Sequence, residues 1–337
     1  MSSLIGITMG CPVGIGPEII IRFHEDLDED PEFLPVVIGD IGVLSRCAGE
    51  LGSAIPIFPW QSGQLVRRNG VNVLPLSDLS GSLRWGVPSR QTGLAMGRYI
   101  EEAVRLIGAG ELAGMVTCPI TKSSLYEAGY HFPGHTEMLA SLCGIENFAM
   151  MMAGDRLRVT LVTIHMGLAE VAASLSLNAV LRMIEMTGTS LIRDFGITSP
   201  RLAVAGLNPH AGEGGMFGRE EQEIIIPAIT EAVAKGWQVS GPFPPDTVFN
   251  RTLGGAFDAV VCMYHDQGLI PFKLVHFEDG VNVTLGLPLV RTSVDHGTAY
   301  DIAGQGKASA QSLKSAFSLA GNIAKNRVGF AEEREID

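Results

Sequence analysis

Three short apolar segments, each ending in a histidine, constrain the fold of this chain more than any other feature. They run from Arg158 to His165, from Arg201 to His210 and from Asp258 to His265. Such short β-branched runs, bounded by Gly or Pro, are typical of buried strands. Because helical or loop-like sequence surrounds them, we expect the strands to be parallel, with ligands binding outside their carboxyl ends. The three imidazoles should then lie at one edge of a sheet, where they suit a divalent metal that keeps positions open for substrate.

A histidine at the end of a single strand is more often a hydrogen-bonded loop residue than a metal ligand. Here the arrangement occurs three times, and small or acidic residues follow each histidine. This repetition favours the metal site over three unrelated loop residues.

Length and composition narrow the class of protein. A chain of 337 residues with 46% hydrophobic and 18% charged residues predicts a compact globular protein of two domains. Its net charge of −12 argues against a nucleic-acid partner, although a local cationic cluster can still bind an anion. The five cysteines form no CxxC pair, which favours free thiols in a reducing compartment. Neither a signal peptide nor a membrane span is evident, so we expect a cytoplasmic protein with no membrane partner.

Strand-like and helix-like segments alternate along the chain and predict an α/β fold. The other predicted strands cover residues 4–9, 34–38 and 114–118. Helices are predicted over residues 91–106, 177–195, 220–235 and 309–325. The domain boundary is weakly marked, and a discontinuous arrangement fits as well as a simple split.

The Gly-rich turn that follows the first strand does not match a dinucleotide-binding motif. The pattern G-x-G-x-x-G would require glycine at position 19, where the chain has Ile19. Residues 108–113 fit a looser form of the pattern but follow a helix rather than a strand. The chain therefore binds no nucleotide in the usual Rossmann manner, or binds none.

Two predicted loops offer groups to a ligand, one through polar side chains and the other through its backbone. The turn at 132–137 presents His135, Thr136 and a carboxylate. Thr136 also suits a helix cap, and it can both cap the helix and bind a ligand because a helix N-terminus attracts anions. The segment 208–218 is rich in glycine, which permits close approach to a ligand or makes a flexible surface lid.

Further polar residues lie near the predicted strand ends. Asp246 and Asp266 would orient the imidazoles or accept a proton, although each alone is more often a turn cap. Lys273, Asn282 and Arg291 follow at intervals of nine residues and suit a phosphate or carboxylate, although any one alone is usually solvated. The polar segment 291–304 leads into a helix and offers backbone groups to an adenosine.

The chain resembles the 4-hydroxythreonine-4-phosphate dehydrogenase family over essentially its whole length. The matching motifs are PGHTE (133–137), LNPHAGEGG (207–215), PPDTVF (244–249), YHDQG (264–268) and VNVTLGLPLVRTSVDHGTAYDIAG (281–304). The resemblance implies an isocitrate/isopropylmalate dehydrogenase-like fold: two α/β/α domains with mostly parallel sheets, a cleft between them, and a homodimer with the active site at its interface. We predict a discontinuous cofactor-side domain, residues 1–125 plus 275–337, and a metal-binding and dimerisation domain, residues 126–274.

The resemblance also implies roles for individual residues. It assigns the three histidines to one divalent metal (zinc, cobalt or magnesium), with one of them contributed across the dimer interface. The substrate residues are His135, Thr136, Lys273, Asn282 and Arg291. The segment HGTAYDIAG resembles the adenosine-binding loop of the wider superfamily, and the cofactor residues are His296, Gly297, Thr298 and Asp301. The proton acceptor stays open among Asp246, Asp266 and Lys122.

The implied reaction is the NAD-dependent oxidation of the C3 hydroxyl of 4-phosphooxy-L-threonine, with NADP as the alternative cofactor. Loss of CO₂ then gives 3-amino-2-oxopropyl phosphate, a precursor of pyridoxal 5′-phosphate. The chain departs from the family pattern G-D-P-A-G-I-G-P-E, since Cys11 replaces the acidic residue and Val13 replaces the alanine. The effect of Cys11 on cofactor or substrate binding stays open.

Several other functions compete with this one. Paralogous dehydrogenases act on D-threonate or D-erythronate 4-phosphate, and others act on cyclic dihydrodiols. The set Lys273, Asn282 and Arg291 favours a phosphorylated substrate over a dihydrodiol. A metal-dependent lyase of the aldolase type would act without nicotinamide, and a non-catalytic binding protein would need no intact ligand set.

Overall fold

The structure is a computed structural model of the chain, and it describes residues 3–28, 31–81 and 83–336, except for the side chains of residues 332–336. Strands and helices alternate along most of the chain, which confirms the predicted α/β class. Within the described residues, no helix is both long and apolar enough to cross a membrane.

The described residues form twelve strands. They are β1 (Ser3–Thr8), β2 (Phe33–Gly39), β3 (Ile57–Pro59), β4 (Val71–Pro75), β5 (Gly114–Thr117), β6 (Ala149–Ala153), β7 (Arg158–Leu161), β8 (Leu202–Ala205), β9 (Val239–Phe243), β10 (Ala259–Cys262), β11 (Val281–Leu285) and β12 (Arg291–Val294).

In the part of the chain that the structure describes, eleven α-helices connect or flank the strands. They are α1 (Gly16–Glu25), α2 (Ile41–Leu51), α3 (Arg90–Gly108), α4 (Lys122–Glu127), α5 (His135–Cys143), α6 (Leu168–Ser174), α7 (Leu177–Arg193), α8 (Ile226–Ala234), α9 (Pro245–Leu253), α10 (His265–Val275) and α11 (Gln311–Ile336). Two irregular helical segments, a 3₁₀ segment at Pro209–Gly215 and a π-helical turn at Glu221–Ile225, precede α8.

The chain divides into two compact units, Met1–Glu146 with Leu287–Ala324 and Asn147–Gly286 with Lys325–Asp337. Their bounds differ from those of the two predicted domains, since α5 lies in the first unit and β11 in the second. The division into domains itself stays a prediction.

In the first unit the strand order is β3-β4-β2-β1-β5-β12, and every neighbouring pair is parallel. The central strands are buried, as parallel sheets covered by helices require. Pro17 lies in the first turn of α1, where its missing N–H costs no helical hydrogen bond.

In the second unit the strand order is β11-β6-β7-β10-β8-β9. Strand β6 runs antiparallel to both of its neighbours, while β10 pairs in parallel with β7 on one side and β8 on the other. Apolar side chains from these strands pack against α9 and α10 through Val248, Phe249, Leu269 and Phe272. This packing fixes the edge of the sheet from which the three histidine loops leave.

The predicted strands that lead to the histidines are real but shorter than expected. β7 ends four residues before His165, β8 five before His210, and β10 three before His265. The remaining residues form loops, since the sheet ladder does not continue beyond these points. The helix predicted at 220–235 likewise begins as the π-helical turn, and the last helix extends to Ile336.

Candidate functional site

Two of the three predicted metal histidines lie side by side in the second unit. The ring centroids of His165 and His265 are 5.9 Å apart, and both line a cavity of about 660 Å³. Nδ1 of His265 lies 2.8 Å from Oδ1 of Asp266. With its proton on Nδ1 and donated to this carboxylate, the ring keeps the lone pair of Nε2 for a metal.

His210 does not join this pair within one chain. Among the residues that the structure describes, the three histidines do not bring their ligand atoms within 4.8 Å of one another. His210 is exposed and lies beside Phe217, with ring centroids 6.2 Å apart. One chain therefore presents two neighbouring imidazoles and a third that projects from a separate loop.

The loop that carries His210 has an unusual backbone. Residues 210–214 all have positive φ, with values of 53° at His210, 54° at Ala211 and 41° at Glu213. Non-glycine residues pay roughly 1–2 kcal/mol each for this conformation. Contacts outside the loop must therefore hold it in place.

The carboxylate of Glu221 supplies those contacts. Glu221 is 2% exposed, and its Oε1 accepts hydrogen bonds from the backbone N–H groups of Leu207 and Asn208 at 2.8 and 2.7 Å. Its Oε2 accepts a third from Nδ2 of Asn208 at 2.9 Å. At Gly212 a Cβ would lie 2.6 Å from Oε2, so only glycine permits this approach. Glu221 thus anchors the start of the turn that presents His210 and packs against Gly212.

Neighbouring histidine loops are also joined to each other. Gln267 is 6% exposed; its Oε1 accepts from the N–H of Met263, and its Nε2 donates to the carbonyl of Gly206, both at 2.7 Å. The hydroxyl of Thr163 donates to the carbonyl of Met263 at 2.7 Å. These bonds connect the loops that follow β7, β10 and β8. The roles of Gln267 and Glu221 are not predictable from the sequence, because no local spacing reveals a long-range backbone contact.

In the first unit, Arg291 forms the centre of a cationic cluster. It is 3% exposed at the start of β12, and its Nε and Nη2 donate to Oγ1 of Thr117 at 3.1 and 2.8 Å. Burial lowers the pKa of Arg291 to about 10, against an opposing effect of Glu137, so the guanidinium remains charged at neutral pH. A buried, oriented guanidinium suits a phosphate or carboxylate.

His135 begins helix α5 in the same cluster. Burial, with the positive charges of Arg291 and Lys122, holds the pKa of His135 well below its usual value, so the imidazole is neutral at pH 7. Its Nε2 is sealed from solvent and has no hydrogen-bond partner among the described residues. Gly134 precedes the first residue of α5, so Thr136 lies inside the first turn and does not cap the helix. The cluster thus contains a charged donor and an imidazole nitrogen that lacks a partner.

The remaining predicted substrate residues belong to the second unit. Lys273 lies in the last turn of α10, and Asn282 lies on β11 opposite Met152 of β6. Oδ1 of Asn282 is buried and has no hydrogen-bond partner in the described part of the chain. Asp246 is exposed in the first turn of α9, a helix that packs against the segment carrying His210.

The predicted cofactor residues lie in a loop between β12 and α11, all in the first unit. The carbonyl of Thr298 accepts from the N–H of Ile15, while a Cβ at Gly14 would lie 3.0 Å from that same oxygen. The Gly-rich first turn therefore packs on the loop rather than forming a dinucleotide motif. Gly297 and Asp301 are exposed, and His296 is partly buried.

Cys11 lies in this contact rather than at the surface. It is fully buried, with its Sγ 3.3 Å from the hydroxyl of Tyr300, which also contacts Oγ1 of Thr121. The thiol therefore packs where the family pattern has an acidic residue.

The role of Glu221 predicts a selective loss of stability. Replacing Glu221 by Gln removes the charge from three buried hydrogen bonds and should lower the free energy of unfolding by about 1–3 kcal/mol. The matched variant Glu223→Gln changes an exposed side chain two residues away and should stay within about 0.5 kcal/mol of the wild type. Urea unfolding measures both; equal effects would contradict an anchoring role for Glu221.

The depressed pKa of His135 predicts a pH effect on stability. Below pH 6.5 the unfolded chain protonates this imidazole while the folded chain does not, so stability falls as the pH falls. Between pH 7.5 and 5.5 the wild type should lose about 1 kcal/mol more than His135→Asn. His131→Asn, which changes an exposed histidine, should behave as the wild type does. Parallel pH profiles for wild type and His135→Asn would show that His135 is not held neutral.

Comparison with known proteins identifies the family of this chain. The chain matches the family described as pyridoxal phosphate biosynthetic protein PdxA over residues 32–320. A 4-hydroxythreonine-4-phosphate dehydrogenase from Desulfosudis oleivorans is 52% identical over 320 residues, which cover 94% of this chain and 95% of that protein. A protein of Bradyrhizobium diazoefficiens named putative D-threonate 4-phosphate dehydrogenase is 44% identical over 336 residues, with 95% and 96% covered.

The fold agrees with that relationship. The 1.25 Å crystal structure of 4-hydroxythreonine-4-phosphate dehydrogenase from Klebsiella pneumoniae superposes with a TM-score of 0.88 at 42% identity. The match covers 96% of this chain and 98% of that one. These findings confirm the resemblance predicted from the sequence motifs, and the chain belongs to the PdxA family of pyridoxal phosphate biosynthetic proteins.

Proposed function

We propose that the protein catalyses the NAD-dependent oxidation of the C3 hydroxyl of 4-phosphooxy-L-threonine, followed by decarboxylation to 3-amino-2-oxopropyl phosphate, in the formation of pyridoxal 5′-phosphate. Family membership over most of the chain supports the dehydrogenase activity. The observation that carries the chemistry is the His165–His265 pair beside a cavity, with Asp266 orienting His265.

The donor set of this pair fits a divalent cation. Two imidazoles with an orienting carboxylate suit zinc or cobalt, and substrate oxygens and water would complete a site acceptable to magnesium. Such an ion, when bound, polarises the substrate hydroxyl and offsets the negative charge that forms there during oxidation and decarboxylation. His165 and His265 would hold it from one chain.

The third ligand would come from a second copy of the chain. Large apolar side chains next to the histidines and along α10 are exposed, which favours an interface on this part of the second unit. They are Met166, Leu168, Met216, Phe217, Ile270, Leu274 and Phe277. A homodimer that covers them would place His210 of one chain near the His165–His265 pair of the other.

The phosphate and carboxylate of the substrate would be bound by the predicted anion residues. Arg291 is held by Thr117, so it can orient an anion without first ordering its own side chain. The family resemblance also implies substrate binding by Lys273 and Asn282. Binding energy at the phosphate positions C3 for the reaction although the phosphate does not react.

His135 would contribute a neutral imidazole to substrate binding. Because its pKa is depressed, Nε2 can accept or donate a hydrogen bond without adding a positive charge. Thr136, the next residue, offers a hydroxyl in the first turn of α5. Together they would orient the substrate beside Arg291.

Three residues are candidates for the proton acceptor. Asp266 is exposed and already accepts a hydrogen bond from His265, Asp246 is exposed on α9, and Lys122 is exposed at the start of α4. The hydrogen bond between Asp266 and His265 supports Asp266 among these candidates. Proton transfer from the C3 hydroxyl to such a group would accompany oxidation.

The nicotinamide cofactor, NAD or NADP, would be held by the loop containing His296, Gly297, Thr298 and Asp301. This cofactor would be the oxidant and would accept the hydride from C3. The loop rests on the Gly-rich first turn, so its position is fixed before the cofactor binds.

A second candidate substrate is D-threonate 4-phosphate. It is favoured by the 44% identical relative whose name contains that substrate. Both candidates carry a phosphate for Arg291 and differ in the substituent at C2.

The test is NADH formation at 340 nm by full-length protein loaded with zinc, cobalt or magnesium. We expect kcat/KM to be at least tenfold higher for 4-phosphooxy-L-threonine than for D-threonate or D-erythronate 4-phosphate. His265→Ala should lower kcat/KM by at least about 100-fold, while His131→Ala, on an exposed loop, should leave it unchanged. A preference for D-threonate 4-phosphate would replace the proposed substrate, and full activity of His265→Ala would contradict the mechanism.

A further inference from the structure

A second group of potential metal ligands lies in the second unit, apart from the three histidines. It consists of Asp155, His276 and Asp279, whose candidate ligand atoms all lie within 4.8 Å of one another. Asp155 follows β6 in the turn to β7, and His276 is the residue directly after α10. Nδ1 of His276 lies 3.1 Å from Oδ2 of Asp279, and Nε2 lies 3.6 Å from Oδ1 of Asp155.

His276 differs from an ordinary surface histidine. It is 2% exposed, and its Nε2 is buried without a hydrogen-bond partner among the described residues. Leaving such a polar atom unpaired is costly, so its retention calls for a partner. The ring packs against Gly154, where a Cβ would lie 2.5 Å from it. Because Gly154 has no Cβ, the imidazole of His276 can pack directly against its backbone.

We propose that Nε2 of His276 and the carboxylate of Asp155 bind a divalent cation of the zinc type, with Asp279 orienting the imidazole through Nδ1. A proton on Nδ1 donated to Asp279 leaves the lone pair of Nε2 directed at the space beside Asp155. The distance of 3.6 Å between Nε2 and Oδ1 is near the roughly 3.4 Å that separates two ligands of a tetrahedral zinc ion. An imidazole and a carboxylate, completed by water, form a mixed donor set that zinc, cobalt and manganese accept.

The cation would connect two parts of the second unit. Asp155 belongs to the β6–β7 turn, and His276 and Asp279 belong to the segment after α10. Lys273 lies three residues before His276, so the cation would restrain the helix end that carries Lys273. The site shares no residue with the His165, His210 and His265 set, and the proposal does not rest on the proposed function.

The test uses Co²⁺ as the probe, since its binding to nitrogen and oxygen ligands is visible in absorption spectra. The protein is full-length and is treated with a chelator. The substitutions His165→Ala and His265→Ala remove the other proposed metal site. Equilibrium dialysis then measures Co²⁺ bound to this variant and to the same variant carrying Asp155→Asn, Asp279→Asn or Glu278→Gln. Glu278 is exposed and adjacent to Asp279 but is not in the group, so Glu278→Gln is the matched control.

We expect about one Co²⁺ per chain in the background variant and in the Glu278→Gln control. Asp155→Asn and Asp279→Asn should each weaken binding at least tenfold. Asp155 is 79% exposed, so its replacement should not unfold the chain. Binding in Asp155→Asn and Asp279→Asn equal to that of Glu278→Gln, or no Co²⁺ in the background variant, would overturn the proposal.

Discussion

The parallel pairing of β10 with both β7 and β8 is the constraint on which the rest of the candidate site depends. It aligns the carboxyl ends of three strands at one edge of the sheet, and a histidine loop follows each of them. Without this register, His165 and His265, 100 positions apart in sequence, would have no reason to meet. The apolar side chains that bury the strands therefore also determine where the chemistry takes place.

Parallel strands alone do not fix the loops, and buried polar groups do this instead. Gln267 joins the loops that follow β10 and β8, and Glu221 holds the left-handed turn that presents His210. This turn has three non-glycine residues at positive φ, and the hydrogen bonds of Glu221 offset its strain. The turn leaves His210 exposed, beside Phe217.

The sequence predicted the α/β class, the buried strands and the helices well, because each depends on local periodicity of apolar residues. It predicted neither the early ends of the strands before His165, His210 and His265 nor the π-helical start of the segment at 221, because hydrogen bonding beyond the pattern decides both. The role of Glu221 is not predictable from a local pattern, because the backbone N–H groups that it binds lie 13 and 14 residues away in sequence. The neutral state of His135 depends on burial next to Arg291, which only the folded chain creates.

The central claim is that His165 and His265 of one chain share a metal with His210 of a second chain. Mixing two inactive variants, His165→Ala/His265→Ala and His210→Ala, under conditions that exchange subunits tests it most directly. In a mixed dimer one site would regain all three histidines, so random exchange should restore about a quarter of wild-type NADH formation. No recovery, with subunit exchange verified by mass spectrometry of the intact dimer, would contradict the account.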